Sequence, residues 1–172
     1  ECVLISEWSH PSQAIAAGFH IDFLIHAVFP AYTSLFRAED ERNVPRIFFG
    51  NSFFDTRGNG NIETFLNDYL DEYEKTKDRG FISIPTGNHD LARISYGRTN
   101  TELEVIFAFI MTMPGIPFVY YGDEIGMEYI PDMPSKEGGF TRTGSRTPMQ
   151  WKKGKNAGFS DGAKELLYLP VN

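Results

Sequence analysis

Gly80-Phe81-Ile82-Ser83-Ile84-Pro85-Thr86 runs straight into Gly87-Asn88-His89-Asp90. A β-branched, apolar segment of this kind reads as a buried strand, and it stops at an imidazole and a carboxylate placed side by side. Leu91-Ala92-Arg93 then brings a guanidinium within a few positions. In α/β proteins the groups that do chemistry collect at the carboxyl ends of strands, so a second acid is expected to end another strand. Cys2-Val3-Leu4-Ile5-Ser6-Glu7-Trp8 meets that expectation, since residues 1–8 read as a buried strand ending in an acid, Glu7.

Outward from these two stretches, strand-like and helix-like segments alternate. Pro11 starts a short helical piece from Ser12 to Ala17, with Ser12 as candidate N-cap, and Gly18-Phe19-His20-Ile21-Asp22-Phe23 reads as the next strand. A short helix between two strands suits a parallel crossover. Leu24 to Arg46 is broken by Pro30 and Pro45 and reads as loop with a helical turn or two. Arg46 to Asn51 is apolar enough for a strand. The Gly/Asn-rich run from Asn51 to Asn61 instead favours an irregular excursion beside a binding face.

A helix is expected from Asn61, with Ile62, Phe65, Leu66, Tyr69, Leu70 and Tyr73 at helical spacing and Arg79-Gly80 ending it. A second opens at Thr101-Glu102-Leu103-Glu104, capped by Asn100 or Thr101, and runs to Pro114. It has few charges after Glu104, which predicts packing against a sheet. Phe118 to Tyr121 reads as a short buried strand, Gly122-Asp123-Glu124-Ile125-Gly126 as a glycine turn, and the chain from Met127 as long ordered loop. The alternation predicts a parallel α/β sheet, open or closed into a barrel.

The chain has 172 residues, 41% of them hydrophobic, enough for one domain with a core. Its net charge of -7 and scattered Lys and Arg give no footprint for nucleic acid. No apolar run approaches the about 18 residues of a membrane helix. The single cysteine, Cys2, cannot form an internal disulfide and reads as a buried thiol, so the redox compartment stays open. The chain opens inside a strand without Met or a polar lead-in, which reads as something other than a natural beginning. Localisation is therefore left open, with the cytoplasm as the default expectation.

A glycosidic bond is typically cut by two carboxyl groups, one protonating the leaving oxygen and one attacking carbon or activating water. Glu7 and Asp90 are acids at strand ends, and Asp123 or Glu124 supplies a third. Plainer readings stand beside these: Glu7 as a solvated acid, His89 as filler of a polar pocket. Asp55-Thr56-Arg57-Gly58-Asn59-Gly60-Asn61 looks like a calcium loop, but Arg57 falls at a ligand position and the twelfth residue is Leu66. No metal is expected there, and no cofactor.

Four stretches together resemble the α-amylase family, glycoside hydrolase family 13: Leu4-Ile5-Ser6-Glu7-Trp8, Thr86 to Asp90, Pro114-Gly115-Ile116-Pro117-Phe118-Val119-Tyr120-Tyr121-Gly122-Asp123-Glu124-Ile125-Gly126-Met127, and Ser145-Arg146-Thr147-Pro148-Met149-Gln150-Trp151. They stand in the family's order and cover most of the chain. The last, with Asn156-Ala157-Gly158-Phe159-Ser160 after it, is most similar to the oligo-1,6-glucosidase, α-glucosidase and trehalose synthase branch. The resemblance implies a (β/α)8 barrel with Glu7 on strand five as general acid/base. On strand seven it implies His89 as holder of sugar hydroxyls, Asp90 as transition-state stabiliser and Asn88 in support of the pair. Arg93 and Trp8 would line the substrate site, and the strand ending at Tyr121 would be the eighth.

The family's nucleophile is an aspartate on strand four, two residues after an arginine and upstream of the general acid. Asp22 in Gly18-Phe19-His20-Ile21-Asp22 mimics that motif but follows Glu7, and His20 stands where the arginine belongs, so strand six suits it better. Residues 1–172 are thus expected to be a fragment of one catalytic barrel domain, strands five to eight plus the loop after strand eight. The nucleophile-bearing N-terminal half would be absent, since a whole barrel takes about 250 residues. The parent would act on α-glucosidic bonds of oligosaccharides, by hydrolysis or transglycosylation. The isolated fragment would be silent, with a dimer through exposed half-barrel edges as its hazard. The rival expectation is a carbohydrate-binding or interaction module without chemistry.

Overall fold

The computed structural model describes residues 2–25, 30–36, 52–56 and 61–171. Three short strands, β1 (Ile5–Ser6), β2 (Ile21–Phe23) and β3 (Phe81–Ser83), form a parallel sheet in the order β1-β2-β3. Ile5 pairs with Ile21, Ser6 with Asp22, and Phe23 with Ser83. Parallel neighbours need a return path, and helices supply it. α1 (Pro11–Ala16) joins β1 to β2, while α2 (Pro30–Phe36) and α3 (Ile62–Thr76) lie between β2 and β3. α4 (Asn100–Thr112) follows β3. The predicted parallel α/β alternation is present, and it is consistent with part of a barrel.

The core fills the space between sheet and helices. Leu24, Tyr32, Leu35, Phe36, Phe65, Tyr69, Ile82, Ile106 and Ile110 are buried in one cluster. Each such side chain contributes about 1.5–3 kcal/mol by leaving water. Phe65 and Tyr69 lie one helical turn apart and stack at 5.5 Å, as the spacing in α3 predicts. Asn61 caps α3 by accepting the Glu63 N–H. Leu70, expected on the same apolar face, is half exposed.

The expected buried strand at residues 1–8 shortens to β1 and lies open. Val3, Leu4, Ile5 and Trp8 are exposed, and so is Cys2, which corrects the buried-thiol expectation. Among the described residues β1 has one sheet neighbour, β2, so its other edge stays in water. Ser12 is not the cap of α1. Pro11 takes the first helical position, where its missing N–H costs nothing, and Ser12 turns its N–H and hydroxyl to the Glu72 carboxylate at 2.6 and 3.0 Å.

The cap of α4 is Thr99 rather than Asn100 or Thr101. Thr99 and Glu102 form a reciprocal capping box. Glu102 also accepts the Thr56 N–H at 2.7 Å, which ties the loop before α3 to this cap. α4 buries Ile106 and Ile110, yet Val105 and Met111 are exposed, so its packing is one-sided. The Arg46–Asn51 stretch lies outside the described residues, as do Arg57, Gly58, Asn59 and Gly60 of the calcium-like loop.

Phe118–Tyr121 is not a strand. The chain does run beside β3 there: Ile116 N–H donates to Ile82 O and Thr86 N–H to Phe118 O, both at 3.0 Å. A Cβ on Gly115 would strike Ile82 O, so glycine permits this approach, and its φ of +128° suits no other residue. The ladder then stops because Tyr120 N–H turns to the Thr86 hydroxyl at 2.9 Å. The glycine turn that follows is as expected, a 3-10 turn over Asp123–Ile125 between left-handed Gly122 and Gly126.

Candidate active site

β1 and β3 end on the same side of the sheet, as parallel strands must, and their terminal side chains meet. Asn88 Nδ2 donates to Glu7 Oε1 at 3.0 Å. The other end of the same amide, Oδ1, accepts the Asp90 N–H at 2.8 Å. One asparagine therefore links the two acids, through the side chain of the first and the backbone of the second. Glu7 and Trp8 also line a cleft of about 450 Å³ with Ser6, Gln13, Ala14, Ala17 and Phe19. Trp8 is 62% exposed, and its indole N–H points to Gln13 Oε1 at 3.4 Å.

Asp90 is gripped from the long loop. Arg142 Nη1 and Arg146 Nη2 donate to Asp90 Oδ1 at 2.7 and 3.1 Å, and His89 Nε2 lies 3.5 Å from the same oxygen. Arg146 Nε also donates to His89 O at 3.0 Å, tying the loop to the histidine's backbone. Sequence reasoning assigned no role to Arg142 and quoted Arg146 only within a motif. The available signal was two arginines four positions apart around Gly144 in a loop otherwise without periodicity. A Cβ on Gly144 would strike Ile130 O, so the turn between the two arginines needs that glycine.

Three tyrosine hydroxyls hold this loop down by donating to its carbonyls: Tyr120 to Ser145 O, Tyr121 to Thr147 O and Tyr129 to Thr141 O. Burial pushes the Tyr129 hydroxyl up to about 12, and burial with the neighbouring Tyr121 raises Tyr120 further. Both therefore remain protonated donors well above neutral pH. Ser145 adds a hydrogen bond from its hydroxyl to Leu91 O.

Arg93 sits apart from the open surface. It is fully buried, with Nη1 donating to Tyr121 O at 2.6 Å and to Asp123 Oδ1 at 3.2 Å. Its guanidinium lies over the Tyr120 and Tyr121 rings at 5.1 and 4.8 Å. Asp123 accepts in turn from the Thr86 hydroxyl at 2.7 Å. Asp123, one of the two candidates for a third acid, is thus engaged inside the fold, while Glu124 is exposed. The Arg93–Asp123–Thr86 chain fixes the end of β3 against the glycine turn.

Asp22 is also fully buried. Its Oδ1 accepts the Ser6 hydroxyl at 2.5 Å and the Trp8 N–H at 2.9 Å. Among the described residues, no group of three or more His, Cys, Asp or Glu is placed to hold a metal ion. Nor is any helix long and apolar enough to cross a membrane.

Comparison with known proteins adds to this geometry. The family model "Alpha amylase, catalytic domain" matches residues 52–172, a span that includes Asn88, His89, Asp90, Arg93, Arg142 and Arg146. The chain is similar to Maltase A2 of Drosophila melanogaster, 33% identical over 113 residues, 66% of this chain and 18% of that protein. It is similar to the Trehalose synthase/amylase TreS of Mycolicibacterium smegmatis, 42% identical over 71 residues, 41% of this chain and 11% of that protein. It is also similar to the amino acid transporter heavy chain SLC3A1 of Homo sapiens, 30% identical over 122 residues, 70% of this chain and 17% of that protein. The chain thus spans less than a fifth of each of these relatives.

Proposed function

Because the chain belongs to the α-amylase family, we propose that it is the second half of the catalytic barrel of a retaining enzyme acting on α-glucosidic bonds of oligosaccharides. β1, β2 and β3 are strands five, six and seven on this reading, and residues 116–121 stand where strand eight belongs. The observation that carries it is the Asn88 amide joining Glu7 to the Asp90 backbone. Two acids linked across the ends of β1 and β3, beside an exposed tryptophan and a cleft, form a site suited to a sugar.

Glu7 protonates the glycosidic oxygen as the bond from that oxygen to C1 breaks and a carboxylate nucleophile bonds to C1. It then takes a proton from water, or from a sugar hydroxyl, as that oxygen displaces the nucleophile. Asp90 stabilises the positive charge that develops on the ring. Its Oδ1 is held by the two arginines, and Oδ2 is left to the substrate. His89 holds a sugar hydroxyl, Trp8 offers an aromatic face, and Arg93 supports the strand end from within the fold. The nucleophile is supplied from outside these residues, because Asp22 is buried and its Oδ1 holds β1. The two reacting carboxyls of such a site stand about 5–5.5 Å apart. The 172-residue chain alone is therefore catalytically silent, and its open β1 edge favours self-association.

Whether the enzyme hydrolyses or transfers depends on which oxygen reaches the intermediate. Proton NMR of the full-length protein acting on maltose tests the reading: initial release of the α-anomer is expected, and initial release of the β-anomer contradicts it. The similarity to a transporter heavy chain favours a second reading, an interaction or carbohydrate-binding module. Glu7→Gln in the full-length protein separates the two, since an enzyme loses turnover while a module changes little.

A further inference from the structure

β1 is two residues long and has one sheet neighbour among the described residues. A carboxyl displaced by about an ångström from its substrate loses much of its catalytic effect. Two backbone bonds tie Leu4 O to His20 and Ile21 N–H, and the His20 ring accepts the Leu4 N–H. Together with the pairing of Ile5 to Ile21 and Ser6 to Asp22, these fix the backbone of β1 as far as Ser6, and Glu7 stands just past that end.

Asp22 holds that end. Ser6 and Asp22 are register partners, and the single oxygen Oδ1 accepts from the residue before Glu7 and from the residue after it. Asp22 is 0% exposed, and its Oδ2 is buried without a hydrogen-bond partner among the described residues. Burying an acid that way is costly. A fold that needed only a filled space there would be served by an apolar residue.

We propose that Asp22 is a positioning residue for Glu7: by holding the Ser6 side chain and the Trp8 peptide, it sets the Glu7 carboxyl against Asn88 and the leaving oxygen. This rests on Glu7 being the acid/base. A misplaced acid slows formation of the glycosyl-enzyme most when the leaving group must be protonated, and hardly at all when it departs unaided, whereas the second step needs the same residue as base on every substrate.

The test compares maltose with α-glucosyl fluoride, whose fluoride leaves without a proton, in the full-length enzyme. Asp22→Ala is expected to lower kcat/KM on maltose, which reads formation of the glycosyl-enzyme, about 30-fold, and kcat/KM on the fluoride by less than about threefold. Asp22→Asn keeps an Oδ1 that accepts both bonds and should stay within about threefold of the parent on both substrates. Ser6→Ala removes one of the two bonds and should show a smaller loss of kcat/KM confined to maltose, which keeps the test open if Asp22→Ala fails to fold. Equal losses of kcat/KM on both substrates, an unchanged kcat/KM on maltose, or an Asp22→Asn variant as impaired as Asp22→Ala overturns the proposal. Glu7→Gln run in parallel separates the premises. If it fails to show the maltose-selective loss, the reading of Glu7 falls, and if it alone shows that loss, only the role of Asp22 falls.

Discussion

Asn88 Nδ2 and Glu7 Oε1 meet at 3.0 Å although 81 residues separate them in the chain. The bond orients an exposed carboxylate on the short strand β1, and the same amide accepts the Asp90 N–H. Asn88→Ala in the full-length enzyme should lower kcat about 10- to 100-fold with little change in KM, because orientation of the acid is lost while the binding groups remain. Asn88→Asp keeps an acceptor for Asp90 N–H but sets a second carboxylate against Glu7. Its kcat should fall at least as far as that of Asn88→Ala, and a parent-like kcat would count against the Asn88 amide as the group that orients Glu7.

Arg142 and Arg146 reach the same Asp90 oxygen from one loop. Each pair is half-buried and is worth about 1 kcal/mol or less to stability. Arg142→Ala and Arg146→Ala should leave thermal unfolding nearly unchanged while each lowers kcat/KM by about tenfold or more. Because both act on one atom, the double variant should lose less than the product of the two single losses. Steady-state kinetics with calorimetry on the four proteins checks this.

Arg93 and Asp123 form an ion pair with both side chains out of solvent. Removing one partner leaves a buried charge uncompensated, at about 3–5 kcal/mol. Arg93→Met should destabilise the protein by that order in denaturant titration. Adding Asp123→Leu should recover most of the loss, since an apolar pair of similar volume is tolerated there. A mild effect of Arg93→Met on folding, with a large rise in KM, would instead place Arg93 at the substrate.

Glu102 accepts N–H groups from Thr56 and Thr99, which hold its carboxyl down at about 2. A carboxyl lowered in the folded state stabilises the fold above its unfolded pKa and loses that contribution as pH falls through the folded value. The contact between the 52–56 loop and α4 should thus weaken as pH falls from about 4.5 to about 2. Glu102→Gln should flatten this part of the stability curve, as read by urea titrations across the range.

Much of the fold is legible because strands and helices announce themselves by period. The Phe65 and Tyr69 spacing fixes α3, and the apolar runs ending in Glu7 and Asp90 foretell two acids at parallel strand ends. What escapes is whatever depends on partners distant in sequence. Exposure of Val3, Leu4 and Ile5 goes with β1 having one sheet neighbour among the described residues, which no local pattern records. Thr86 takes the Tyr120 N–H with its hydroxyl and so ends a ladder that the apolar run 118–121 predicts. Arg142 and Arg146 lie in a loop without periodicity, where only the folded chain shows that both face Asp90. The family resemblance implies that Arg93 lines the substrate site, yet its side chain turns inward to Asp123.

Chemical rescue of the acid/base variant tests the central assignment most directly. In the full-length enzyme, Glu7→Ala acting on α-glucosyl fluoride should form the glycosyl-enzyme and then stall, because no base activates water. Added azide needs no base, and turnover should return with α-glucosyl azide as product. Asp90→Ala, which lacks the charge that stabilises the transition state itself, should stay unrescued. Glu7→Ala that turns over maltose at the parent rate, or that azide leaves unchanged, would contradict the assignment of Glu7.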